Sequence, residues 1–244
     1  MSLVDSRLSL KQCYDIIKDF VSSPDTWEVV QEVERYRNLW RPEKVKVVLL
    51  AESHVHTSKE DFLEWSYRKD PIYGGRLVRF VYCLGYGEKL VQIPSNPGTS
   101  QFWKILYGCL HRIREKDDFA PILKSLTHDQ DQRIANKILL LQQLTKAGIW
   151  LVDASIIGIN EKSSRVKSRI VAESWDRYTG PLIVSLNPQP KYIIVIGYGV
   201  AETLRTRLNR LNIPTHKIPQ PQGWRKPGYV QFYGECFEIC SKFA

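Results

Sequence analysis

The amino-acid sequence predicts an α/β fold in three layers, with helices on both faces of a central, mainly parallel, four-stranded sheet. Three observations carry that prediction. Three short apolar runs, Lys44–Ala51, Ile149–Ala154 and Tyr192–Ile196, read as strands buried on both faces, and Ile213–Ile218 as a fourth, short strand. Helical stretches separate them, which calls for right-handed crossovers and parallel pairing. No internal repeat, low-complexity tract or linker interrupts the 244 residues. A single domain is therefore expected, with a helical segment over about 1–40.

The elements follow in order. Residues 9–22 and 25–39 have helical periodicity, broken at Pro24, with Asp25 or Thr26 as the cap of the second helix. After the first strand, residues 57–75 are polar and rich in aromatics, and Gly74-Gly75 marks an irregular loop. A helix is expected over 76–84, ending near Gly85. Pro94–Ser100 is loop, and Ser100 caps a helix from Gln101 to about Glu115. A long helix over 130–147 stops at Gly148 and leads into the second strand. Residues 166–186 form a helix with a possible interruption at Gly180-Pro181, and Val200–Leu211 a basic one. Tyr229–Ala244 closes the chain as a strand or turn followed by a helix.

Composition removes several classes. An apolar fraction of 43% and seven Trp are incompatible with disorder. No apolar run is long enough to span a bilayer. The first residues, with Asp5 and Arg7, lack the apolar core of a secretion signal. A soluble, intracellular (cytoplasmic) monomer is expected. Three of the five cysteines lie in apolar stretches as reduced thiols, and Cys236 and Cys240 have no further ligands nearby for zinc or iron–sulfur. Gly197-Tyr198-Gly199 lacks the third glycine of a dinucleotide fingerprint and is a strand-to-helix turn. The net charge of +9 suits a polyanionic partner. Arg165, Lys167 and Arg169 cluster, as do Arg205, Arg207 and Arg210, and Arg225 with Lys226.

Ligands of open α/β sheets bind at the carboxyl ends of the strands. Two loops there carry chemistry: Ala51–His56 and Gln220–Trp224. Glu52, His54, His56 and Asp153 together form a possible metal set, although two histidines in a loop more often serve hydrogen bonding. Asp153, ending an apolar strand, either caps the next segment or is paired or works on a ligand. Trp224, beside Arg225 and Lys226, is either packed down or presented for stacking on a base. Phe102-Trp103 anchors its helix in the core, since Ile105, Leu106 and Leu110 continue the apolar face.

Taken together, these loops resemble the uracil-DNA glycosylase superfamily over roughly residues 44–230. In that family a buried strand delivers a water-activating loop of the Gly-Gln-Asp-Pro-Tyr-His, Gly-Glu-Ala-Pro-Gly or Gly-x-Asn-Pro-Gly type. Ala51-Glu52-Ser53-His54-Val55 holds this place. Asn96–Trp103 is similar to a loop leading to Phe-Trp. Ile149–Ser155 matches the strand whose polar end reads the base, with Asp153 in that position. Tyr192–Ala201 matches a strand ending in Gly before a helix. Gln220-Pro221-Gln222-Gly223-Trp224 stands where a His-Pro-Ser type loop carries a wedge into the duplex. The chain departs from the pattern at Ser53 (usually Asp or Asn), His54 (Pro), Gln220 (His or Asn), Gln222 (Ser) and Asp153 (Asn).

The resemblance implies a DNA glycosylase of base-excision repair that flips a damaged base out of duplex or single-stranded DNA and hydrolyses its glycosidic bond. Glu52, supported by Ser53, would orient or deprotonate the water, and His54 or Gln220 would donate to the departing base. Asp153 would accept from the base edge, with Tyr67 or Tyr73 stacking on it. Ser100, Gln222, Gly223, Trp224, Arg225 and Lys226 would contact DNA. No cofactor is required. Uracil repels a carboxylate through O4, so Asp153 leaves deaminated purines such as hypoxanthine or xanthine open as substrates beside uracil. The alternatives are a non-catalytic nucleic-acid-binding protein on the same fold, and a metal-dependent hydrolase.

Overall fold

A computed structural model describes residues 3–67, 73–88, 90–91, 100–220 and 229–243. Four parallel strands form the central sheet: β1 (Val47–Ala51), β4 (Ile149–Asp153), β5 (Tyr192–Ile196) and β6 (Thr215–Ile218), in the spatial order β4-β1-β5-β6. β1 is buried along its whole length, because it has a partner on each edge and helices over each face. Its register sets Ala51 opposite Asp153, and Val47 opposite Tyr192. The predicted three-layer α/β architecture is what the chain adopts.

Helices α1 (Leu3–Lys18), α5 (Ser164–Ser174) and α7 (Tyr198–Asn209) pack together. So do α3 (Ser100–Leu110), α4 (Gln130–Ala147) and α8 (Tyr229–Ser241). The crossover from β1 to β4 runs through α3 and α4, and those toward β5 and β6 run back through α5 and α7. Right-handed crossovers in opposite directions place the two groups on opposite faces. The same reversal separates the loops leaving β1 and β5. A crevice opens between their carboxyl ends.

Local chemistry accounts for most element ends. Thr26, not Asp25, caps α2 (Trp27–Leu39), its hydroxyl accepting from Val29 N. Gly148 ends α4 at φ 83°, a left-handed conformation in which its N–H bonds back to Leu144 and Thr145. The helix expected over 166–186 is α5 continued through a π turn (Trp175–Thr179) into α6 (Gly180–Val184).

Two expectations fail. No helix forms over 76–84. Leu77, Val78, Phe80, Val81, Tyr82, Cys83 and Leu84 are all buried, which leaves no polar face to turn toward water. Instead, Leu77 N bonds to Leu63 O, and Val55 N to Arg79 O. Around this segment, residues 57–75 are more ordered than a plain loop, because β2 (Glu64–Trp65) pairs with β3 (Gly75–Arg76). The hairpin is pinned to α2 where Trp65 Nε1 donates to Tyr36 Oη at 2.8 Å. The helix expected to reach Glu115 stops at Leu110, because Asp118 draws the N–H groups of Arg114 and Glu115 into a new 3-10 turn over Lys116–Phe119.

Candidate active site

The loop leaving β1 is held from three directions. Ser155 N donates to Glu52 O at 2.9 Å, extending the β1–β4 ladder past its ends. Ile159 N donates to Ser53 Oγ at 3.3 Å. The third anchor is Asp25, fully buried at the amino end of α2. Its Oδ2 accepts from Gly158 N at 2.6 Å and lies 2.9 Å from His54 Nε2. Its Oδ1 accepts from Thr57 N at 2.9 Å and lies 2.9 Å from His56 Nδ1.

These anchors shape a cavity of about 310 Å³ in the crevice, lined among others by Glu52, Ser53, His56, Phe102 and Gln220. Arg79, Gln101 and Asn160 reach it from three further segments. The volume is at the low end of what small-molecule sites enclose, about 300 Å³ upward. The mixture of one phenyl ring, two imidazoles, several amides and a carboxylate suits a flat polar heterocycle.

Behind the wall lies a buried chain of charges. His54 Nδ1 is 3.6 Å from Asp153 Oδ2, too long for a hydrogen bond but close for an ion pair. Arg37 Nη2 donates to the same oxygen at 3.2 Å. Arg37 Nη1 in turn pairs with Glu34, which accepts from Tyr178 Oη at 2.7 Å. Burial by itself would lower the pKa of His54; the Asp153 and Asp25 carboxylates overcome it and hold the ring at about 9. Burial would raise the pKa of Asp25, and the neighbouring His54 and His56 hold it well below the usual carboxylate range. His54 is therefore an imidazolium between two carboxylates at neutral pH.

Glu52, Ser53 and Gln220 come together as the sequence predicts. Four other assignments change. His54 lines the cavity, but its ring nitrogens face the carboxylates of Asp25 and Asp153 and its side chain is buried. Asp153 is 2% exposed and lines a smaller void of about 20 Å³, which shares Ser53, His54, Val55, Arg79 and Phe102 with the cavity. Its carboxylate is engaged by Arg37 and is not among the groups lining the larger cavity. Tyr73 stacks on Trp40 with ring centroids 5.3 Å apart, and its hydroxyl accepts from Gln142. Tyr67 is buried and does not line the cavity. The ring that does is Phe102, read from sequence as a core anchor, while its neighbour Trp103 takes the core.

Ser100 opens α3, one residue before the cavity-lining Gln101. Gln222, Gly223, Trp224, Arg225 and Lys226 lie outside the described residues. Among the described residues no group of three His, Cys, Asp or Glu is arranged to hold a metal ion. His54 and His56 converge on Asp25 instead. Sequence pointed to His56 only as a candidate metal ligand, and Asp25, Asn160 and Arg79 were not singled out as active-site groups. Of the last three only Asp25 had a local signal, as a candidate helix cap. Compared with protein-family models, with curated proteins and with solved structures, the chain matches none.

Proposed function

We propose that the chain is a DNA glycosylase that accepts a flipped-out, damaged base in this cavity and hydrolyses its glycosidic bond. The observation that carries the reading is the convergence of Glu52 and Ser53 from β1, Phe102 from α3 and Gln220 from beyond β6 on one base-sized cavity. The net charge of +9 adds the attraction for a polyanion. The base stacks on Phe102. Glu52 orients the water and faces the positive charge that develops on the sugar, with Ser53 beside it. Gln220 donates to the base as negative charge builds on its ring.

The change at Asp153 alters the choice of substrate. With that carboxylate outside the cavity, Glu52 is the one carboxylate on its wall, and its place in this reading is opposite the sugar and not at O4 of uracil. The base edge meets amides instead, from Gln220, Gln101 and Asn160, each offering both a donor and an acceptor. Uracil becomes the first substrate to test, ahead of hypoxanthine and xanthine.

Labelled single-stranded and duplex oligonucleotides carrying uracil, hypoxanthine, xanthine or a thymine mismatch are incubated with the protein, and alkali then cuts any abasic product. Cleavage that is lost in Glu52→Gln supports the reading and names the base. Salt-sensitive DNA binding without cleavage refutes it in favour of a binding protein on the same fold.

A further inference from the structure

The loop after β1 carries two histidines, and Asp25 holds both, yet their surroundings differ. His54 is walled in by two carboxylates. His56 has its Nδ1 buried 2.9 Å from Asp25 Oδ1, while its side chain keeps 20% exposure and lines the cavity with Glu52. From this geometry we infer that Asp25 and His56 form a proton-accepting dyad, with His56 Nε2 taking the proton from the attacking water. The inference rests on the glycosylase reading and adds a catalytic residue to it.

The argument begins with Asp25. Two backbone N–H groups and the imidazolium of His54 already satisfy its oxygens. It is a fixed anion, and an anionic carboxylate only accepts. A ring nitrogen that faces it carries the proton. Nδ1 of His56 is therefore the protonated nitrogen, and Nε2, across the ring and toward the cavity, keeps its lone pair. The ring lies off the ideal axis, so Nδ1 makes no hydrogen bond of good geometry. Catalytic hydrogen bonds often align only when substrate is bound.

The backbone of His56 is clamped as well. A Cβ on Gly158 would sit 2.4 Å from His56 N and 2.5 Å from its Cα. The loops after β1 and β4 touch there without room for any side chain. The other charged groups around His56 are Glu52 and Arg79 on the cavity wall, and His54 on the far side of Asp25.

The step balances as follows. The water oxygen bonds to the anomeric carbon as the bond from that carbon to the base nitrogen breaks, its electron pair leaving with the base. The water proton passes to His56 Nε2, making an imidazolium against Asp25. Glu52 stays ionised opposite the sugar. The base leaves as an anion held by Gln220 and is protonated by solvent, to which His56 later returns its proton.

Two measurements test the dyad. Ring-nitrogen NMR of protein labelled with 15N-histidine, with His56 assigned through His56→Gln, is expected to show a protonated Nδ1 and a bare Nε2 in the neutral ring. A protonated Nε2 overturns the inference. Single-turnover base release from a uracil oligonucleotide is expected to fall about 10²–10⁴-fold in His56→Gln, with loss of the acid limb of the wild-type pH profile. A wild-type rate and profile in His56→Gln overturn the dyad and leave the glycosylase reading standing. No release by the wild type on any of the oligonucleotides overturns both.

Discussion

The imidazolium of His54 ties the stability of this protein to pH. The ring is 4% exposed, with carboxylate oxygens at 2.9 Å and 3.6 Å on its two sides. Its pKa in the folded chain is about 9, against 6.5 for a free histidine. A raised pKa means that folding takes up the proton more tightly. The contribution is fully present below about pH 6.5 and is lost as pH rises through about 9. At 1.36 kcal/mol for each pH unit between the two values, the loss is on the order of 3 kcal/mol. That is a substantial part of a typical stability of about 5–15 kcal/mol.

Urea unfolding between pH 6 and pH 9.5, in wild type and His54→Gln, measures the effect. The variant is expected to be less stable at pH 6, since it leaves buried Asp153 to Arg37 and removes the imidazolium from buried Asp25, which keeps only His56 beside it. Its stability should then be nearly flat through the range in which the wild type declines. Cys13 and Cys83, whose thiols burial pushes up from 9.0 to about 12 and about 11, add a decline of their own above about pH 9 in both proteins, so the difference between wild type and variant is what reports His54. Wild-type stability equal at both ends of the range, or a parallel decline in the two proteins, refutes the reasoning.

Three further outcomes are expected. Asp25 works in the opposite sense. Its depressed pKa contributes stability that is present above about 3.8 and lost only as pH falls below it, so Asp25→Asn should flatten the acid limb of an unfolding curve followed by circular dichroism. Gly158→Ala drives a methyl group into the His56 backbone and should cost about 1–3 kcal/mol in urea unfolding, with a larger fall in base release than in stability. Phe102→Ala removes the cavity's ring and should weaken binding of the extruded base by about 1–3 kcal/mol, read as a higher half-saturating enzyme concentration in single turnover.

Periodicity is a local property, and the elements it governs were legible. The unalternating run before Ala51 reads as a buried strand because one buried on both faces needs apolar residues at every position, and β1 is such a strand. Gly148 marks the end of α4 because a left-handed residue there favours glycine. The same logic misled at Leu77–Leu84. An apolar run long enough for two helical turns has no periodicity to choose between helix and buried turns, and the hairpin beside it decided.

Sequence alone determined the sheet, the strand ends and the carboxylate, hydroxyl and amide of Glu52, Ser53 and Gln220 that meet beyond them. These depend on residue type and on which end of a strand a loop leaves, and the chain order contains both. Tertiary structure alone decided which histidine is enclosed between two carboxylates, and which polar ends of strands are consumed in the core. Asp25 reaches His54 across 29 positions, and Arg37 reaches Asp153 across 116. A buried charge takes whichever partner the packing brings within a few ångströms. That partner has no fixed spacing along the chain, so no pattern in the sequence announces it.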